Sequence, residues 1–208
     1  MKKQWFTVKQ IRPQLWAIAE FQHVEKTVMY FVLGKSHTLL FDSGMGMRSI
    51  HRVIRKITKL PIAIILTHSH WDHVGGILSS DTVYQWKDFT DGQEIVVDDM
   101  VISVIHTPGH TPDSVCYFIK GRNWLFTGDT LYPGPLYAHL PESNIHDYAN
   151  SLQKLCAIVN DQTLIFPGHN AIQCDYPLLV RASQLMGQIE EKQLQGDGFS
   201  ILLPESLL

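Results

Sequence analysis

The chain has 208 residues, of which 45% are hydrophobic and 18% charged, and its formal net charge is -3. This composition is typical of a globular protein; it excludes a disordered chain, and it provides no global positive field for nucleic acid. Three widely spaced cysteines, Cys116, Cys156 and Cys174, argue against a disulfide framework and favour a reducing compartment. We therefore expect one cytoplasmic domain over residues 1–208, without an export signal or a membrane-spanning segment.

The predicted elements of the first third are mainly short strands. Runs rich in β-branched and aromatic residues predict strands at 14–21, 27–33 and 37–42. Apolar residues at helical spacing then predict a helix over 49–57. The continuous apolar run PIAIILT (61–67) predicts a strand that is buried on both faces.

The rest of the chain continues this alternation. Strands are predicted at 100–107, 114–119, 123–128 and 163–169, and helices at 145–159 and 177–194. Pro177 suits the first turn of the closing helix. The order of elements predicts an α/β layered domain with mixed sheets.

The stretch THSHWDHVGG (67–76) directly follows the buried strand. Side chains alternate near the end of a strand, so His68 and His70 share one side, and two imidazoles converging there suit a metal ion of the zinc type. Asp72 and His73 lie just beyond and can serve a second ion. The closing glycine pair predicts a loop, which excludes a helical HExxH zinc motif.

Three later segments repeat one pattern, in which an apolar strand leads through a glycine-containing turn to a candidate ligand. They are VIHTPGHT with His110, WLFTGDT with Asp129 and LIFPGHN with His169. If the four strand-end loops gather at one edge of the sheets, they bring together seven ligands. That number is enough for two metal ions with open positions.

The order HxHxDH, PGH, GD and PGH resembles the metallo-β-lactamase superfamily, and within it the glyoxalase II-like hydrolases. The resemblance implies an α/β fold, an αββα four-layer sandwich of two mixed β-sheets flanked by helices, with the site along one edge. It also implies a ligand set. One ion would be held by His68, His70 and His110, the other by Asp72, His73 and His169, with Asp129 bridging them. Asp42 in LLFDSG matches an early aspartate of the family that supports the ligands from behind.

The implied cofactor is a pair of zinc ions, with iron or manganese as alternatives. Zinc lowers the pKa of a bound water from about 15.7 to about 7, so a metal-bound hydroxide is expected to attack a carbonyl group. Two divalent ions, the carboxylates of Asp72 and Asp129 and one hydroxide together carry a charge of about +1, which attracts the carbonyl oxygen. Hydrolysis is therefore the expected reaction, with Asp72 and Tyr132 as the predicted catalytic residues. A tyrosine at the position of Tyr132 also occurs in acyl-homoserine lactonases; packing in the cleft wall is an equal alternative.

Two longer segments indicate the substrate. FDSGMGMRS (41–49) and GDTLYPGPLYAHLPESNIHDYANSL (128–152) resemble a branch of metallo-β-lactamase-domain proteins with acyl-CoA thioesterase activity. A thioester of the acyl-CoA or acyl-glutathione type is therefore the expected substrate. Residues predicted to form an apolar substrate pocket for the acyl chain are Met45, Met47, Trp71, Leu136 and Tyr137.

Two alternatives stay open. One is a lactonase of the acyl-homoserine lactone type, and the other, from a different class, is an iron-dependent oxidoreductase similar to the persulfide dioxygenases. Because 39 residues follow His169, we expect the helical domain with which glyoxalase II proteins bind glutathione to be missing or remade. We expect a small-molecule substrate and no nucleic acid or membrane partner; monomer and homodimer both remain open.

Overall fold

A six-stranded sheet is built from the first part of the chain. The structure is a computed structural model that describes residues 4–191 and 200–202. In spatial order the strands are β1 (Thr7–Arg12), β2 (Leu15–Ala19), β3 (Val28–Leu33), β4 (Thr38–Phe41), β5 (Ile62–Ile65) and β6 (Thr82–Tyr84). Strands β1 to β4 are antiparallel, whereas β5 and β6 run parallel to β4. The parallel crossovers contain α1 (Ile50–Ile54) and α2 (Trp71–Val74).

A five-stranded sheet follows. Its strands are β7 (Glu94–Val97), β8 (Met100–His106), β9 (Val115–Ile119), β10 (Trp124–Gly128) and β12 (Leu164–Pro167), in the spatial order β12-β10-β9-β8-β7. Only the β10–β12 pair is parallel. Its crossover contains the short strand β11 (Pro135–Tyr137) and the helix α3 (Ile145–Ile158). Helix α4 is Tyr176–Glu191, and β13 (Ser200–Leu202) pairs with β11.

The apolar side chains divide into three clusters, and these define four layers. One cluster lies between the two sheets, where the rings of Phe41 and Phe126 stack with centroids 3.9 Å apart. A second cluster holds α3 and α4 against the outer face of the five-stranded sheet, with Leu152 and Leu179 fully buried. The third holds α1 against the six-stranded sheet through Ile50 and Ile54. The predicted αββα sandwich of two mixed sheets is thereby confirmed.

Every predicted strand and helix is present within a few residues of its predicted bounds, but several elements are additional. The additional strands are β1, β6, β7, β11 and β13, and the additional α-helix is α2. Strands β1, β6 and β7 lie at sheet edges, where exposed side chains weaken the apolar pattern that indicates a strand. The predicted end of the closing helix, 192–194, lies outside the described residues. Among the helices that the structure describes, none is long and apolar enough to cross a membrane.

Candidate metal centre

The predicted ligands lie on loops that leave the carboxyl ends of strands. His68 and His70 follow β5, His110 follows β8, Asp129 follows β10, and His169 follows β12. The two sheets place these strand ends along one edge of the sandwich. Loop residues from distant parts of the chain therefore converge there, and a rigid sheet supports each of them.

The structure brings all seven predicted ligands together in two groups. The ligand atoms within each group lie within 4.8 Å of one another. The first group is His68, His70, His110 and Asp129, and the second is Asp72, His73 and His169. Imidazole nitrogens face one another in both groups: His70 Nδ1 lies 3.0 Å from His110 Nε2, and His73 Nε2 lies 3.2 Å from His169 Nε2.

Asp129 lies between the two groups. Its Oδ2 is 3.4 Å from Nε2 of His110, while its Oδ1 is 3.1 Å from Nε2 of both His73 and His169. Each carboxylate oxygen therefore faces a different group. This is the placement that a bridging ligand requires, and it corresponds to the role that the family resemblance implies.

The donor set fits a pair of divalent transition-metal ions. His68 Nε2 is buried without a hydrogen-bond partner among the described residues. The same holds for Asp129 Oδ1, whose 3.1 Å contacts with His73 and His169 lack hydrogen-bond geometry. Such buried polar atoms are rare in folded proteins and require an explanation. Imidazole nitrogens and carboxylate oxygens that converge in a buried place are typical ligands of zinc, iron and manganese. The metal-binding role predicted for this edge of the sandwich has a direct physical basis in these contacts.

The outward-facing nitrogen of each buried histidine is held by another group. Fixed ring orientations of this kind are a general feature of metal-binding histidines. The contacts are His68 Nδ1 with Thr67 Oγ1 (3.1 Å), His73 Nδ1 with Asp42 Oδ2 (2.8 Å), His110 Nδ1 with Tyr137 O (2.9 Å) and His169 Nδ1 with Glu25 O (2.6 Å).

Asp42 supports the ligands from behind, as the family resemblance implies. Its carboxylate accepts hydrogen bonds from the backbone N–H and the hydroxyl of Thr67, both at 2.8 Å, in addition to its contact with His73. Its φ of 62° lies in the left-handed region. This strained conformation turns the chain sharply after β4. Asp42 thereby links the end of β4 to the start of the histidine-rich stretch.

Electrostatics in the two groups favour an ionised Asp129. Burial lowers the pKa of His68 well below its usual value, which keeps that ring neutral. Burial also acts to lower the pKa of His73, but the carboxylates of Asp129 and Asp42 outweigh it and raise that pKa well above its usual value. For Asp129, burial acts to raise the pKa, but His169, His73 and His68 outweigh it and hold the pKa well below its usual value. Metal binding requires the carboxylate in this ionised form.

The histidine-rich stretch is partly helical, which differs from the prediction of a loop. His70 is the N-cap of α2, so Asp72 and His73 lie on a short helix. The glycine pair is needed for close packing: a Cβ at Gly75 would lie 2.4 Å from Met45 O, and one at Gly76 would lie 2.2 Å from Ser43 O. A four-residue helix is too short to show a helical period in the sequence.

Tyr132 lies in the wall beside the second group. Its ring centroid is 5.1 Å from that of His169, and burial raises the pKa of its hydroxyl well above its usual value. The hydroxyl donates a hydrogen bond of 2.6 Å to Pro135 O. A hydroxyl group has a single proton, so the proton needed for a bond to a substrate carbonyl is already engaged.

A cavity of about 460 Å³ opens over both groups. Of the predicted pocket residues, Trp71 and Tyr137 line it. Met45 and Leu136 are buried, Met47 is exposed, and none of these three is among the residues that line this cavity. Further lining residues that the sequence did not indicate are Val24, Glu25, Lys26, Leu140, Glu142 and Asn170. Leu140 and Glu142 belong to the segment 128–152, whose resemblance indicated the substrate, and Asn170 directly follows a predicted ligand. The loop of residues 24–26 has no recognisable motif, and only the fold brings it to the cavity.

Comparison with known proteins agrees with this geometry. The chain is 28% identical over 202 residues to the lactamase-like protein aptB of Emericella nidulans, an alignment of 84% of this chain and 64% of that protein. It is 25% identical over 224 residues to the acyl-coenzyme A thioesterase MBLAC2 of Gallus gallus, covering 80% of this chain and 81% of the relative. It is 33% identical over 162 residues to a hydroxyacylglutathione hydrolase of Aeromonas salmonicida, covering 68% of this chain and 60% of that enzyme.

Solved structures show the same architecture at low sequence identity. The structure of TMB-1 superimposes with a TM-score of 0.74 at 18% identity, covering 90% of this chain and 100% of that chain. A model of the metallo-beta-lactamase superfamily matches residues 24–79 and 81–169, which include all seven ligands of the two groups. With its αββα fold and its two converging ligand groups, this chain belongs to the metallo-β-lactamase superfamily.

Proposed function

We propose that the chain is a dinuclear zinc hydrolase that cleaves thioesters of small molecules, with acyl-CoA as the favoured substrate class. The observation that carries the proposal is the position of Asp129, whose two oxygens face two separate ligand groups on the floor of an open cavity. A single-ion site would leave the second group, with its buried His73, without a role. The reaction class follows from that donor set and from membership of the superfamily.

The metal ions, when bound, supply an activated water and a Lewis acid for the substrate carbonyl. The chain itself supplies orientation, charge and a partly enclosed cavity. Asp72 lies in the second group, with its Oδ2 3.4 Å from His169 Nε2, and it accepts a hydrogen bond of 3.3 Å from the Thr27 hydroxyl. Trp71 and Tyr137 are exposed apolar side chains in the lining of the cavity, where they can contact an acyl chain.

A second cavity supports an elongated, anionic substrate. It has a volume of about 400 Å³ and shares Asn170 with the cavity over the metal groups, so the two lie next to each other. Lys9 and Arg12 line it, and neither forms an ion pair within residues 4–191 and 200–202. Unpaired cations beside the cavity can bind the phosphate groups of coenzyme A. A lactone has no group that would use them.

The relatives favour the same substrate class. MBLAC2 is named as an acyl-coenzyme A thioesterase, and the Aeromonas salmonicida relative as a hydroxyacylglutathione hydrolase. Both names describe thioester hydrolysis, on different thiol carriers. The basic residues beside the cavity are the feature of this chain that favours coenzyme A over glutathione.

The test is a substrate panel on protein of defined metal content. The protein is stripped with a chelator and reloaded with zinc, manganese or ferrous iron. It is then assayed with acyl-CoA, S-acyl-glutathione, acyl-homoserine lactone and a β-lactam. We expect two ions per chain, loss of activity on stripping, its recovery with zinc, and the highest kcat/KM with acyl-CoA. Asp129→Asn should lose the second ion and at least about a hundredfold in kcat/KM, because both groups lose their shared carboxylate.

Asp161→Asn is the matched control, because Asp161 is exposed and lies outside both ligand groups. It should retain full activity. Preference for lactones over thioesters would overturn the substrate class but not the hydrolytic reaction. One tightly bound iron with oxygen uptake on a persulfide substrate would overturn hydrolysis itself.

The cytoplasmic location and the oligomeric state also stay predictions. Cell fractionation tests the first, and the mass of the purified protein in solution distinguishes a monomer from a homodimer.

A further inference from the structure

His70 is the least enclosed ligand of the first group. His68, His110 and Asp129 are buried, whereas His70 is only partly buried, with a quarter of its side-chain surface exposed. Burial among packed neighbours fixes the rings of the buried histidines. A ring at the mouth of the cavity can rotate unless another contact holds it, and rotation would remove its nitrogen from the group.

Glu142 provides such a contact. Its Oε1 lies 3.0 Å from Nε2 of His70, on the side of the ring that faces away from the ligand group. The other ring nitrogen, Nδ1, lies 3.0 Å from Nε2 of His110 and therefore faces the group. A carboxylate that accepts the Nε2–H bond favours the tautomer whose Nδ1 carries the free lone pair. This is the tautomer that a metal ion in the first group requires.

The segment that carries Glu142 is itself anchored to the loop of His110. Ser143 donates its hydroxyl proton to His110 O at 2.8 Å, and the backbone N–H of Asn144 donates to Gly109 O at 2.8 Å. At the start of the same segment, Tyr137 O contacts His110 Nδ1. The segment 137–144 therefore contacts both His110 and His70. It connects two of the three histidines of the first group, which are 40 residues apart in the chain.

We propose that Glu142 is a positioning residue, which orients His70 for the first metal ion and thereby sets the affinity of that site. The inference rests on the proposed metal centre. Carboxylates in this position typically change metal affinity by about 10- to 100-fold. The expected effect falls on one of the two ions, because Glu142 has no contact with the second group among the described residues.

The experiment measures metal binding directly rather than turnover. Wild type, Glu142→Ala and Glu142→Gln are titrated with zinc in competition with a coloured chelator, and with cobalt followed by its visible spectrum. We expect Glu142→Ala to weaken the affinity for one ion about 10- to 100-fold and to change the cobalt bands of that site. Glu142→Gln should weaken it less, since the amide oxygen still accepts the hydrogen bond although the charge is lost. Binding of the other ion should stay within about twofold.

Glu190→Ala is the matched control. Glu190 forms the same type of carboxylate–histidine contact with His146, on the exposed side of α3 and α4 and outside the ligand groups. The Glu190→Ala variant should bind both ions with the affinity of the wild type. All variants are compared by thermal unfolding without metal, where no difference is expected, because Glu142 lines the open cavity and 41% of its side-chain surface is exposed.

Wild-type affinity for both ions in Glu142→Ala, with an unchanged cobalt spectrum, would overturn the inference while leaving the proposed function intact. If the wild type binds two ions but does not hydrolyse thioesters, the proposed substrate class is wrong. The role of Glu142 would still be decided by the metal affinity of Glu142→Ala relative to that of the wild type. A wild-type chain that binds neither zinc nor cobalt would overturn both proposals.

Discussion

At the scale of single residues, three aspartates of the site have different roles. Asp129 faces both ligand groups, Asp42 supports His73 from behind, and Asp72 belongs to the second group alone. These three carboxylates lie at loop or helix positions that different strands supply. Their distinct roles follow from where their oxygens point, which the residue type alone does not specify.

The hydroxyl of Tyr132 provides a residue-scale prediction. Because it donates its proton to Pro135 O at 2.6 Å, Tyr132→Phe should leave kcat for a thioester within about threefold and lower the free energy of unfolding by about 1 kcal/mol, the usual contribution of one such hydrogen bond. Steady-state kinetics and chemical denaturation measure the two effects. A fall in kcat of a hundredfold or more, with unchanged stability, would show instead that the hydroxyl acts on the substrate.

At the scale of elements, the site depends on close contacts between loops and helices. The loop of His110 lies against the first turn of α3, and Gly109 makes the approach possible. Its φ is 141°, and a Cβ there would lie 2.3 Å from Tyr148 Cα and 2.6 Å from the backbone nitrogen of Tyr148. Moving the backbone atoms of a packed helix to relieve this overlap would cost free energy of folding. The PGH motif at 108–110 therefore requires its glycine for packing, next to the histidine that it presents.

Gly109→Ala tests this contact. The alanine should lower the free energy of unfolding by about 2 kcal/mol or more, from overpacking and from the unfavourable φ, and should reduce metal affinity because His110 shifts with the loop. Thermal unfolding and zinc titration measure these losses. Gly121→Ala is the control: no atom lies within 4 Å of its Cβ position, so it should be neutral or slightly stabilising. Equal stability of the two variants would contradict the packing argument.

At the scale of the whole molecule, both sheets contribute residues to the two neighbouring cavities. Lys9 and Arg12 come from β1, at the edge of the six-stranded sheet, while Asn170 follows β12, at the corresponding edge of the five-stranded sheet. The cavity over the metal groups and the basic cavity beside it therefore lie on the same side of the sandwich. Neither sheet alone would form either cavity.

Charge reversal tests the basic cavity. The double variant Lys9→Glu, Arg12→Glu should raise KM for acyl-CoA about tenfold or more, because two exposed cation–phosphate contacts contribute about 1 kcal/mol each. KM for the corresponding acyl-pantetheine, which lacks the nucleotide, should not change. The effect should weaken at high salt, as exposed charges are screened. Steady-state kinetics with both substrates at two salt concentrations provide the measurement.

Arg52→Glu, Lys56→Glu is the control for net charge, since both residues are exposed and line neither cavity. It makes the same charge change and should leave both KM values as they are. An equal rise in KM for acyl-CoA in the control would mean that the overall field of the protein, rather than a local contact, attracts the substrate.

The sequence by itself determined the seven candidate ligands and a layered α/β domain, because the ligands stand in short motifs directly after apolar strands and the elements follow from periodic burial. The four-layer sandwich and the division of the ligands between two ions were implied by the family resemblance. Only the tertiary structure decided which side chains surround the ligands. Glu142 reaches His70 across 72 residues, and Leu136, two positions after Gly134, is buried while its neighbour Tyr137 lines the cavity. Local spacing cannot specify such contacts, because they depend on how separately formed loops pack once the sheets have brought them together.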